Sequence, residues 1–206
     1  MAHRVDGRSR GVSRFPQLVL RLPDWVEREL PDPNQVYATA EERMTAVIRL
    51  AQLNTEQGTG GPFGAGIFDQ DAGTMLAPGV NLVVPARCSV AHAEIVAIAI
   101  AECMLGCFDL GGRGMPSYEL VTSTEPCAMC LGAVTWSGVR RLVCGARDGD
   151  ARRVGFDEGT KPTAWKQALE ARGVGVLVDV CREQAVAILD RYGRTGGLIY
   201  NARQGG

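Results

Sequence analysis

The chain has 206 residues, a formal net charge of −1, 46% hydrophobic residues and 22% charged residues. That size and balance predict one well-buried globular domain with some chain to spare. A near-neutral charge argues against a surface built mainly to hold polyanionic nucleic acid. No apolar run reaches the length of a membrane span. The arginines at 4, 8, 10 and 14 are followed by no apolar stretch, so a secretory signal is not expected. Seven cysteines are an odd number at low density. They predict a reducing, cytoplasmic setting in which a few thiols bind metal and the others pack.

In chain order, residues 1–15 are polar and Gly- and Arg-rich, which predicts poor order. Residues 22–30 read as a short helix with Trp25 on its buried side, ended by Pro31 and Pro33. The main domain is expected from about residue 37, with residues 1–36 as an N-terminal extension. Thr39 followed by Glu42 is a capping box, and Met44, Val47, Ile48 and Ala51 follow at helical spacing. Residues 60–69 read as a loop entering a strand, residues 71–73 as a turn, and residues 74–84 as the return strand of a hairpin. Residues 92–105 predict an apolar helix, 117–123 a strand, 126–136 a helix with Pro126 first, and 139–146 a strand. Residues 162–172 predict a helix, 174–180 a strand and 181–192 a final helix. The order is α-β-β-α-β-α-β-α-β-α. It implies a three-layer α/β/α sandwich around a five-stranded mixed sheet whose later strands are parallel, joined by right-handed crossovers.

In such sheets, sites form at the carboxyl ends of strands and the amino ends of helices. Two motifs fall there: Ala91-His92-Ala93-Glu94 and Glu125-Pro126-Cys127-Ala128-Met129-Cys130. Cys127 and Cys130 lie i,i+3 on one helical face, so both sulfurs reach one ion. The helix amino end favours the thiolate that ligates. With His92 as third ligand, the set has the composition of a catalytic zinc site, one ion per chain with water in the fourth position. Glu94 lies beside the ligands and is read as the proton shuttle. A Cys-x-x-Cys pair is also compatible with a redox pair or half of a structural zinc site. Cys103 and Cys107, late in an apolar helix without a nearby histidine, read as core packing, as do Cys88, Cys144 and Cys181.

With His92-Ala-Glu94, Glu125-Pro-Cys-Ala-Met-Cys-Leu-Gly-Ala133 and Gly61-Pro-Phe-Gly-Ala65, the chain resembles the cytidine deaminase-like superfamily. It is closest in pattern to the branch of guanine deaminases, fungal-type cytosine deaminases and tRNA adenosine deaminases. The resemblance spans roughly residues 37 to 160. It implies hydrolytic removal of an amino group from a free nucleobase or nucleoside, a guanine-like purine first, with release of ammonia. Gly155-Phe156-Asp157-Glu158 leans toward guanine deaminase, in which an acid at the Glu158 position holds the base. That family usually shows Asp there, so the longer Glu predicts a shifted ring register. A solvated turn is the competing reading for Asp157 and Glu158.

The same resemblance implies that Asn81 hydrogen-bonds the substrate; a turn residue bonding its own backbone is the alternative. Phe63, Trp136 and Phe156 are expected to wall a planar ring, and the backbone N–H groups of Ala93 and Cys127 to orient it. Residues 161–206 are expected to form a lid or a segment swapped across a homodimer, with Tyr200 as a lid aromatic. Other readings stay open: a tRNA adenosine deaminase, a deaminase of a pterin, triazine or cytosine, or a silent zinc module used for assembly.

Overall fold

The computed structural model describes residues 15, 17–30 and 32–203. The expectation for the N-terminal tail therefore lies almost wholly outside the described residues. The elements are α1 (Trp25–Glu29), α2 (Ala40–Glu56), β1 (Gly64–Asp69), β2 (Met75–Val80), α3 (Val83–Ala86), α4 (Ala93–Leu105), β3 (Tyr118–Thr124), α5 (Ala128–Ser137), β4 (Arg141–Ala146), α6 (Asp148–Val154), α7 (Trp165–Glu170), β5 (Gly175–Leu177) and α8 (Arg182–Arg194). The sheet order is β2-β1-β3-β4-β5. β1 pairs antiparallel with β2 and β3, and β3-β4-β5 run parallel, as the helix-separated strands require.

Side chains alternate across the sheet and feed two cores. Ile67, Leu120 and Leu142 pack beneath α4 and α5, while Phe68, Val121 and Val143 pack beneath α2 and α8. The three layers follow from that alternation. No helix among the described residues is long and apolar enough to cross a membrane.

Two local devices orient the layers. α2 opens on the expected capping box: Thr39 Oγ1 accepts from Glu42 N–H at 3.1 Å, and Glu42 Oε2 accepts from Thr39 N–H at 3.3 Å. At Gly79 on β2, an added Cβ would lie 2.1 Å from the carbonyl oxygen of Ala93, so only glycine lets the first turn of α4 rest on the strand.

Several element boundaries differ from expectation, and these bear on the site or the sheet edge. The return strand stops at Val80, because Asn81 Oδ1 accepts from Val83 N–H at 3.3 Å and starts the helical turn α3. α5 begins at Ala128, which makes Cys127 the N-cap and places Pro126 outside the helix. β5 has only three residues on an edge, and the polar segment 148–154 forms the short helix α6.

Beneath β1 and β3, the fully buried Glu119 carboxylate receives Arg43 Nη1 at 2.5 Å and also meets Arg141. Arg43 Nε also donates to Tyr37 O at 2.9 Å. A buried pair of this kind is dangerous to halve, because the orphaned charge stays desolvated. Glu119→Ala is expected to lower the unfolding free energy by about 3–5 kcal/mol. Urea unfolding monitored by circular dichroism checks it; a loss below about 1 kcal/mol would show that water reaches Arg43 and that the pair does not hold this edge.

Candidate active site

Two helix amino ends converge at the carboxyl edge of β3. His92 is the N-cap of α4; Cys127 is the N-cap of α5, and Cys130 stands in its first turn. Their ligand atoms all lie within 4.8 Å of one another, and Cys127 Sγ is 3.5 Å from His92 Nδ1. Among the described residues this is the one cluster of at least three donors able to hold a metal ion. The three cysteines and one further pair read as packing (Cys88, Cys144, Cys181, Cys103 and Cys107) are unbonded thiols outside it.

The donor chemistry fits zinc. Zn–S near 2.3 Å and Zn–N near 2.05 Å at a tetrahedral angle put sulfur and nitrogen about 3.5 Å apart. The observed Cys127–His92 separation matches that value. The protons are also arranged for ligation. The hydrogen bond from Cys130 holds the Cys127 thiol down at about 4 against the opposing effect of burial, with His92 helping. Cys130 is pushed up by the same hydrogen bond and by its burial. The sulfur pair thus shares one proton until a cation displaces it.

Glu94 follows two residues after His92 and is buried within the first turn of α4. Burial, then the charge on Cys127, raises its carboxyl pKa. A second acid, Glu158, is buried on the loop after α6. Burial first, then the charges of Cys127 and Glu94, push it up to about 8. Of Asp157 and Glu158, the solvated-turn reading therefore applies to Asp157 alone, whose Oδ1 accepts from Gly159 N–H at 2.9 Å on an exposed loop.

These groups open on a cavity of about 760 Å³. Its walls include His92, Glu94, Cys127, Glu158, Asn81, Phe63 and Phe156, together with Thr124, Val84, Pro85, Ser89, Met129 and Asp157. Phe63 and Phe156 meet edge-on, ring centroids 4.8 Å apart, and Phe156 stacks toward Tyr192 at 6.1 Å. Asn81 makes the local turn bond and also lines the cavity.

One expected wall residue, Trp136, is elsewhere. Trp136 is 80% exposed and does not line the cavity. It stands two residues after the buried Val134 on α5, and about 100° of rotation per residue carries it to the opposite face. Ala93, whose backbone N–H is expected to orient the ring, is fully buried as the first residue of α4, next to His92.

Two features of the site are not singled out by any motif. Lys161 Nζ, nearly buried, bonds Asp148 Oδ1 at 2.7 Å and Pro126 O at 3.0 Å. Glu125 Oε2 accepts from Asp148 N–H at 3.2 Å, and Ala128 N–H donates to Glu158 O at 2.9 Å. This lattice ties the loop of Glu158 to the loop of Cys127. One of only two lysines in an arginine-rich chain, three residues past Glu158, was the available signal.

The second feature is the tail. Leu198, Tyr200, Asn201 and Ala202 border the cavity of their own chain. Asn201 Oδ1 accepts from Asp157 N–H at 2.8 Å, Asn201 Nδ2 donates to Gly155 O at 2.9 Å, and Tyr192 Oη donates to Leu198 O at 2.8 Å.

Known proteins share this arrangement. Residues 38–146 match the family described as the cytidine and deoxycytidylate deaminase zinc-binding region. The guanine deaminase of Bacillus subtilis is 37% identical over 118 residues, 57% of this chain and 71% of that protein. The tRNA-specific adenosine deaminase of Haemophilus influenzae is 35% identical over 133 residues, 60% of this chain and 68% of that protein.

Among solved structures, NE0047 in complex with 2,6-diaminopurine superposes with a TM-score of 0.84 at 48% identity, covering 91% of this chain and 98% of that one. Guanine deaminase from Nitrosomonas europaea gives 0.83 at 46% identity, covering 86% and 97%. With more than half its length inside the family match and the three-donor cluster built by that segment, the chain belongs to the cytidine and deoxycytidylate deaminase zinc-binding family.

Proposed function

We propose that this protein is a zinc-dependent hydrolytic deaminase of a free amino-purine base, guanine first. One observation carries the reading: a buried carboxyl, Glu94, stands beside a His-Cys-Cys cluster at a cavity that a second buried acid, Glu158, also lines. The likeness to guanine deaminase from Nitrosomonas europaea supports the choice of base.

His92, Cys127 and Cys130 would hold one zinc ion per chain, which when bound supplies an activated water as nucleophile. Glu94 moves the protons. It takes one from the attacking water, gives it to a ring nitrogen, and passes a second to the departing amine, so that ammonia leaves and a ring carbonyl remains. Its raised pKa suits a group that must hold a proton as readily as release it. Glu158 and Asn81 accept and donate to the ring's polar edge, and Phe63 with Phe156 covers an aromatic face.

The tail acts as a lid on its own cavity, since Asn201 fastens it to the loop that carries Glu158. We further propose a homodimer through the outer face of α5, where Trp136 presents exposed apolar surface away from the cavity. The free thiols favour a reducing cytoplasmic location. A tRNA adenosine deaminase is the second reading, favoured by the likeness to the Haemophilus influenzae enzyme. The net charge of −1 and the tail beside the cavity favour a small free base over a nucleic-acid strand.

Ammonia release by zinc-loaded protein separates these readings. Guanine is expected to react, and guanosine and an adenosine-bearing anticodon hairpin are not; the opposite pattern would transfer the assignment to RNA. Glu94→Gln is expected to retain stoichiometric zinc by elemental analysis and lose kcat by about 10²- to 10⁴-fold. Turnover within tenfold of wild type would remove Glu94 as the proton shuttle. Cys127→Ser is expected to purify without zinc, and a full complement of metal in that variant would contradict the ligand set.

A further inference from the structure

β3 ends at Thr124, one residue before the Glu125-Pro126-Cys127 motif. Leu120 on this strand packs beneath α4 and α5, whereas Val121 packs beneath α2 and α8. By the two-residue period of a strand, Thr124 shares Leu120's side, which is the side of His92, Glu94 and Cys127. Thr124 is 3% exposed, and it lines the cavity.

Its hydroxyl stands apart from every other buried polar group. Among the described residues, Thr124 Oγ1 is the one buried side-chain oxygen or nitrogen without a hydrogen-bond partner. Neighbouring groups are supplied from within the protein. Ser123 Oγ accepts from Gly64 N–H at 3.1 Å, Thr55 Oγ1 donates to Gln52 O at 2.7 Å, and Asn81 Oδ1 accepts from Val83 N–H.

Leaving a buried hydroxyl unmade is unfavourable, and valine fills the same volume without that cost. A hydroxyl in this position makes sense when its partner arrives with the ligand. Besides the cavity's buried carboxyls, Glu94 and Glu158, a hydroxyl that both donates and accepts offers a flat ring with mixed edges one more polar partner.

Oγ1 is itself closed off from the cavity while the ring is absent, and we infer that Thr124 is a substrate-positioning residue whose Oγ1, turned into the cavity by rotation about χ1 as the ring binds, hydrogen-bonds the polar edge of the amino-heterocycle and sets the ring's register against Glu94. The inference rests on the deaminase reading and deepens it. The test uses zinc-loaded, full-length wild type, Thr124→Val and Thr124→Ser, with guanine, adenine, cytosine and 2,6-diaminopurine as probes.

On whichever probe wild type turns over, Thr124→Val is expected to lose about 10- to 100-fold in kcat/KM. It should keep its zinc, and its thermal midpoint should equal or exceed that of wild type, because an unmade buried hydroxyl has been removed. Thr124→Ser should restore most of the activity. A purely structural role would instead lower activity and thermal midpoint together. That result, or Thr124→Val activity within twofold of an active wild type, overturns this inference alone. A wild type that releases ammonia from none of the four probes overturns the free-base deaminase reading and this inference with it.

Discussion

Three ligand atoms from two helices, an imidazole nitrogen and two sulfurs, sit within 4.8 Å of one another at the floor of a cavity. Electron-rich donors held this close, one of them a thiol depressed to about 4, repel one another and are poorly solvated. A divalent cation relieves both problems, and the fold is arranged around that relief. β2 keeps glycine at 79 so that α4 can lie against it and bring His92 forward. β3 delivers Cys127 directly into the N-cap of α5. Parallel pairing of β3 with β4 places the carboxyl ends of both strands on the same edge, where Asp148 N–H then donates to the Glu125 carboxylate.

The electrostatics around the cluster extend that logic. Glu94 and Glu158 are both raised chiefly by burial, and each is further raised by the Cys127 charge. The site therefore concentrates acceptors and protonatable acids around one cavity. Proton transfer in such a space needs little reorganisation at the moment of reaction, which is the form of catalysis open to a rigid protein. Rigidity here comes from the Lys161 lattice beneath Glu158 and from the tail tied down by Asn201.

Much of this was legible in residue order because it depends on local patterns. Helices between strands foretold the parallel half of the sheet and its three layers, and the His-Ala-Glu and Pro-Cys-x-x-Cys spacings foretold which three donors cluster. The features that were not legible depend on contacts between distant residues. Val83-Val84-Pro85 reads as strand by composition, yet the Asn81 turn bends it into a helix. Trp136 reads as a ring wall until the rotational phase of α5, fixed by the buried Val134, points it outward. Thr124 belongs to no motif, and its unmet hydroxyl exists only once the strand is packed. Lys161 gains meaning only when Pro126, 35 residues away, offers it a carbonyl oxygen.

All of these features gain their purpose from the coordination sphere, and zinc K-edge X-ray absorption on the loaded protein reads it directly. The account predicts two sulfur scatterers near 2.3 Å and two lighter nitrogen or oxygen scatterers near 2.0–2.1 Å, one of the latter exchangeable. A shell of four sulfurs would mean a closed structural site. A shell with no sulfur would mean that Cys127 and Cys130 do not serve the metal, and either result would contradict the account.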